Sequence, residues 1–137
     1  MYEVLSHLPV KVIDSNRTAP LIASQLNARF KISASYCIRK DDGSPEEYQS
    51  DLYRFMGNIS FAVIHAVSED YQNLVNARAA GKHLVVLARS DRYIVRQEDK
   101  DMYLRLRKEG IAVVEKPDQI DSQFYSRVAS ALAWYFD

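Results

Sequence analysis

Short apolar runs rich in β-branched and aromatic residues alternate along the chain with stretches whose apolar positions recur every three or four residues. That alternation predicts strands separated by helices, the layout of an α/β domain. The first run, 10–13, ends in Asp14-Ser15-Asn16, after which Ile22, Leu26 and Phe30 mark one face of a helix. Pro20 fits near that helix's start, where a missing N–H leaves no intrahelical acceptor wanting. The second run, 32–38, empties into the polar loop Arg39-Lys40-Asp41-Asp42-Gly43, in which Asp41-Asp42-Gly43 reads as a solvated turn. Ser44-Pro45-Glu46-Glu47 has the form of a capping box. It predicts a helix buried through Tyr48, Leu52, Phe55 and Met56 and stopped at Gly57.

The third run, 61–66, is almost wholly apolar, the composition of a strand covered on both faces and therefore central. Ser68, with Glu69 and Asp70 behind it, is placed to cap the next helix, which carries Tyr71, Leu74, Val75 and Arg78 and ends at Gly81. A fourth run, 84–88, stops at Arg89-Ser90-Asp91. A charged helix around Met102, Tyr103 and Leu106 follows and terminates at Gly110. The fifth run, 111–114, leads into Glu115-Lys116-Pro117, and the last helix aligns Ile120, Phe124, Val128 and Leu132, with Trp134, Tyr135 and Phe136 at its end. Five such units connected by right-handed crossovers predict one flavodoxin-like domain over 1–137. Its sheet is five-stranded and parallel, in the order 2-1-3-4-5, with helices on both faces.

Composition narrows what such a domain can meet. Eighteen basic residues balance eighteen acidic ones, so neither nucleic acid nor an anionic membrane is an expected partner. One cysteine, Cys37, rules out an internal disulfide and a cysteine-rich zinc site, and it reads as packed on its strand. His7, His65 and His83 fit no metal-ligand spacing. The first residues lack the basic start and apolar core of a signal peptide, so a reducing, cytoplasmic setting is expected.

In open α/β sheets ligands gather at the carboxyl ends of strands beside the point where strand order reverses. Here that edge collects Asp14, Ser15, Asn16, His65, Ala66, Ser90 and Lys116. Asp14 and Lys116, read as ending neighbouring central strands, can form a partly buried ion pair, either structural or part of a phosphoryl site.

With these residues in place the chain resembles the receiver (CheY-like) domains of two-component response regulators. VKVIDSNRTAPLIASQL is similar to the first receiver strand, its acidic corner and first helix. HLVVLARSD is similar to the fourth strand with its terminal hydroxyl, and GIAVVEKPDQIDSQFYSRVASAL to the fifth strand, the lysine-proline pair and the last helix. The resemblance implies that Asp14 is one of two metal-holding acids, Ser90 the switch hydroxyl and Lys116 the phosphate-binding lysine, joined to Pro117 through a cis peptide bond. Two departures alter the expectation. Ser15 stands where the second acid belongs, which weakens a magnesium site. His65 stands at or beside the phospho-acceptor position, and no acid follows until Glu69. The expectation is a pseudo-receiver: a regulatory domain of a two-component or transcriptional system, without catalysis, metal or cofactor. It would act independently of phosphate by contacting an output module, a kinase or a second copy of itself. Tyr93, Tyr103, Trp134 and Tyr135, on the side of the fourth and fifth units, are the candidate contact surface.

A second resemblance lies mid-chain. NISFAVI followed by NLVNARAAGK is similar to TIR and nucleoside deoxyribosyltransferase-like domains. In that register Asn73 stands where those proteins carry a catalytic glutamate, which implies nucleotide binding without glycosidic cleavage.

Overall fold

Five parallel strands form one sheet in the order β2-β1-β3-β4-β5. They are β1 (Val10–Asp14), β2 (Ala34–Ile38), β3 (Phe61–His65), β4 (His83–Arg89) and β5 (Ala112–Lys116). The computed structural model describes residues 9–39, 59–89 and 96–135. Four α-helices lie among the described residues: α1 (Ala19–Phe30), α2 (Tyr71–Ala79), α3 (Gln97–Lys108) and α4 (Ser122–Trp134). This is a flavodoxin-like α/β fold with the expected strand order. The helix expected from Ser44, together with Ser90 and Tyr93, lies outside the described residues.

The core divides by sheet face. On one face Val10, Val12, Val63, Val85 and Leu87 meet Ile22 and Leu26 of α1 and Phe124, Val128 and Leu132 of α4. On the other, Ile13, Ile64, Leu84 and Val86 meet Leu74 and Ala77 of α2 and Met102 and Leu106 of α3. Successive residues of a strand point to opposite faces. A strand serving both layers must therefore be apolar at every position, and β3 is fully buried from Phe61 to Ile64.

Helix punctuation follows the sequence in most places. Gly81 and Gly110 adopt φ of +89° and +79° just past α2 and α3, the left-handed conformation that glycine enters without a Cβ clash. Lys31 takes the same conformation after α1, at φ +57°, and its N–H donates to the Asn27 carbonyl. The start of α2 departs from expectation. Ser68 opens a short 3-10 turn (Ser68–Asp70) rather than capping the helix. Its backbone N–H is taken by Asp99 and its hydroxyl bonds Glu69, while the Asp70 carboxylate accepts the Val67 N–H at 2.8 Å. The Lys116–Pro117 bond is trans, against the cis bond implied by the receiver resemblance.

Two of the tyrosines expected on a contact surface are instead structural. Tyr103 is 8% exposed, because the stripe Asp99, Met102, Tyr103 and Leu106 faces the sheet. Its hydroxyl donates to the Ala66 carbonyl at 3.0 Å. Tyr135 is half-buried beside His83 and fastens two strands: its hydroxyl donates to the Leu84 carbonyl and accepts the Ala112 N–H. Trp134 is exposed and packs edge-on against the Tyr135 ring. Tyr135→Phe removes one hydroxyl from two backbone partners. Urea unfolding followed by circular dichroism is expected to show a loss of about 1–3 kcal/mol. Trp134→Ala is expected to leave the midpoint nearly unchanged.

Candidate functional site

The carboxyl edge of the sheet holds the polar chemistry. Asp14, the last residue of β1, is 1% exposed, and a carboxylate so placed requires compensation. Lys116, the last residue of β5, provides it through an Nζ–Oδ2 contact of 2.8 Å. The two were expected on neighbouring strands, but β3 and β4 separate them. The long lysine stem closes the gap. The Ser15 N–H donates to Asp14 Oδ1 at 2.7 Å, so both carboxylate oxygens are engaged.

Thr18 extends the arrangement. It precedes α1, where a threonine hydroxyl ordinarily caps a helix, yet it makes no side-chain cap. Its hydroxyl instead accepts a second Lys116 hydrogen bond at 3.1 Å and pairs with the Ser15 hydroxyl at 2.9 Å. His65, closing β3, places Nδ1 4.0 Å from Asp14 Oδ1, with its side chain 12% exposed. Asp14, Ser15, His65 and Lys116 are thus brought together as the sequence suggested, and Thr18 joins them unforeseen. Asn16 appears in none of these contacts.

A second buried pair was hidden in the sequence. Arg39, read as the start of a polar loop, is 7% exposed. Its Nη1 meets Asp70 Oδ2 at 3.0 Å and donates to the His65 carbonyl at 2.8 Å. Burial pushes the Asp70 carboxyl above the ordinary aspartate range, against the pull of the Val67 N–H and of Arg39. The available signal was position: Arg39 directly follows a strand that ends on the same edge as Asp14.

A third cluster ties α3 to the turn after β3. Asp99, near the helix start and 8% exposed, accepts the Ser68 N–H at 2.8 Å. Arg96 donates to both Asp99 oxygens and grips Glu69 with two bonds of 3.0 and 2.8 Å. Those Arg96 hydrogen bonds hold the Glu69 carboxyl down at about 2.

The site does not fit the magnesium implied by the receiver resemblance. Octahedral magnesium takes hard oxygen ligands and usually one or two carboxylates. Here a single carboxylate is present, both of its oxygens are engaged by Lys116 and the Ser15 amide, and the neighbouring position is a serine. Among the described residues no group of three or more His, Cys, Asp or Glu is disposed to hold a metal ion. Asn73, the residue singled out by the second resemblance, lies half-buried on α2 and enters none of these contacts. Among the described residues no helix is long and apolar enough to cross a membrane. Neither protein-family models nor curated sequences give a match to this chain.

Two outcomes are expected of this geometry. Lys116→Met strands the Asp14 carboxylate and is expected to lower unfolding free energy by about 3–5 kcal/mol, with Asp14→Asn/Lys116→Met recovering much of the loss. Chemical denaturation of the three proteins checks it. For Glu69, carbon NMR of the side-chain carboxyl is expected to give a midpoint at about 2, returning toward 4.5 in Arg96→Gln. The folded value lies below the ordinary one. This carboxylate's contribution to stability is therefore complete above pH 4.5 and is lost as pH falls toward about 2.

Proposed function

We propose that this chain is a receiver-like regulatory domain that has left aspartyl phosphorylation and acts through protein contact. The observation that carries the reading is the pairing of Asp14 with Lys116 beside a β3 strand that ends in His65 and not in a carboxylate. In aspartyl phosphorylation a carboxylate oxygen attacks phosphorus beside a metal ion while a lysine steadies the transferred oxygens. The cation here is retained, but its hydrogen bonds go to Asp14 and Thr18. By the receiver resemblance an imidazole stands at or beside the nucleophile's position, and Ser15 stands where the second metal-holding acid belongs.

With no phosphoryl input, such a domain has one dominant arrangement unless a partner binds another arrangement more tightly. The three polar clusters favour that condition, since each joins separate elements: β1 with β5, the end of β2 with the turn after β3, and that turn with α3. The output is then recognition of a fixed surface belonging to a larger regulator or to a separate protein. Trp134, 55% exposed beside the anchored Tyr135, supplies an aromatic contact on the α4 side.

The test is incubation with a small acyl phosphate and magnesium, followed by intact-mass measurement and an amide NMR spectrum. No added phosphoryl mass and an unchanged spectrum are expected. A phosphoryl group on any aspartate or on His65, or amide shifts around residues 14, 65 and 116, would overturn the reading.

A further inference from the structure

At the amino end of the sheet one imidazole is set among aromatic rings. His83, the first residue of β4, lies opposite Phe61, the first residue of β3, so the two side chains share a sheet face. That is the face on which α4 packs, and Tyr135, directly after α4, brings a second ring to His83. Both ring centroids stand 4.8 Å from that of the imidazole. Arg78, in the last turn of α2 on the opposite face, reaches round the end of the sheet. Its guanidinium carbon lies 6.0 Å from the centroid of the Tyr135 ring. With the Ala112 N–H of β5 on the Tyr135 hydroxyl, five elements converge on this cluster.

The groups around His83 all suit a neutral ring. Its Nδ1 is buried and has no hydrogen-bond partner among the described residues. A neutral imidazole leaves that nitrogen as a lone pair, whereas a second proton makes it a buried donor with nothing to receive it. Phe61 from β3 carries no charge. The Tyr135 hydroxyl beyond α4 is engaged by the Leu84 carbonyl and the Ala112 N–H, and burial raises its pKa above the ordinary 10. Arg78 from α2 is a cation, as is Lys82, the preceding residue in the chain. Burial first, and the Arg78 charge second, lower the His83 pKa.

We propose that His83, Phe61 and Tyr135 form a proton-sensitive latch, in which protonation of the imidazole releases the end of α4 from β4 and β5. Of the three rings, Tyr135 is the one placed to yield. Phe61 and His83 sit in paired strands, and Phe61 is buried. Tyr135 follows the last turn of a helix, where local opening costs least, and one hydroxyl holds it to two backbone groups. An imidazolium draws water to itself, and the ring beside it gives way. Trp134 moves with that ring, because it rests edge-on against Tyr135 at 5.0 Å between centroids. The exposed aromatic at the end of α4 therefore has two positions, set by the charge on His83. Folded His83 takes its proton at lower pH than an ordinary imidazole. The latch's contribution to stability is thus complete above 6.5 and is lost as pH falls through 6.5 toward the folded value. The latch stands apart from the receiver-like reading, because no residue of the Asp14 cluster takes part and phosphoryl transfer does not enter its test.

Trp134 is the single tryptophan of the chain, so its fluorescence reads the latch. The whole chain is titrated across pH 6.5 while carbon NMR follows the His83 imidazole. Emission and imidazole shift are expected to share one reversible midpoint below 6.5, with far-ultraviolet circular dichroism nearly constant. His83→Phe keeps a ring in the stack that takes no proton, and it is expected to hold the emission steady over the same range. Arg78→Met removes the neighbouring cation and is expected to move both midpoints upward. Emission that stays flat while His83 titrates, two separated midpoints, or a transition that survives His83→Phe overturns the proposal. So does a midpoint unmoved in Arg78→Met, or a loss of helical signal at the same pH, which marks global unfolding. Should His83→Phe fail to fold, the coincidence of the wild-type midpoints and the Arg78→Met displacement decide.

Discussion

A carboxylate that water barely reaches must be met by a cation, and in this fold that requirement ties the first strand to the last. Asp14 is 1% exposed, and its charge is answered by a lysine at the far edge of the sheet. The interaction is worth less as a source of stability than as a constraint. Replacing a buried pair by apolar groups is often neutral, whereas leaving one member alone is strongly unfavourable. Any rearrangement that draws β5 from β1 strands Asp14, so the carboxyl edge is held as one piece. Thr18 reinforces this by giving its hydroxyl to Lys116 and Ser15 in place of capping α1.

The same edge contains a second buried pair, and the two have different consequences. Arg39 and Asp70 bind the end of β2 to the turn after β3, over the His65 carbonyl. Burial pushes the Asp70 carboxyl above its ordinary value, against the help from the Val67 amide and Arg39. Three hydrogen bonds fix the end of β2 against this turn. Asp99 and Arg96 then carry the connection from the turn to α3. Around His65 the surroundings are cross-braced on both sides, by Asp14–Lys116 and by Arg39–Asp70.

The central strands and the helices on which they pack were legible in the chain because β3 and β4 serve two layers and so lose their polar alternation. The Asp14–Lys116 contact was legible for a different reason: both residues end apolar runs, and in a parallel sheet all such ends share one edge. What could not be read was which polar residues turn inward. Arg39 sits among charged neighbours that signal a loop, and its burial depends on Asp70, 31 positions away. Ser68 has the local signature of a cap, but a carboxylate on α3 takes its N–H. Tyr103 and Tyr135 are amphipathic, and only the backbone carbonyls that receive their hydroxyls decide that they face inward. Sequence periodicity locates a residue on a helix face, and it is silent about a hydrogen-bond partner supplied by another element.

The opposite end of the sheet clarifies why chemistry gathers at the carboxyl edge. At the amino ends of β3 and β4 the rings of Phe61, His83 and Tyr135 stack at centroid separations of 4.8 Å. Burial there, with Arg78 nearby, lowers the His83 pKa below its ordinary value of 6.5 and favours the neutral imidazole. That end closes the core with rings and one tyrosine clamp. The carboxyl end faces the starts of α1, α2 and α3, where unpaired N–H groups and loop backbones call for carboxylates and hydroxyls. Asp14, Asp70 and Asp99 each answer one such amide, from Ser15, Val67 and Ser68 respectively. The polar site is thus a consequence of parallel topology, and Lys116 and Arg39 keep two of its three carboxylates compatible with a closed core.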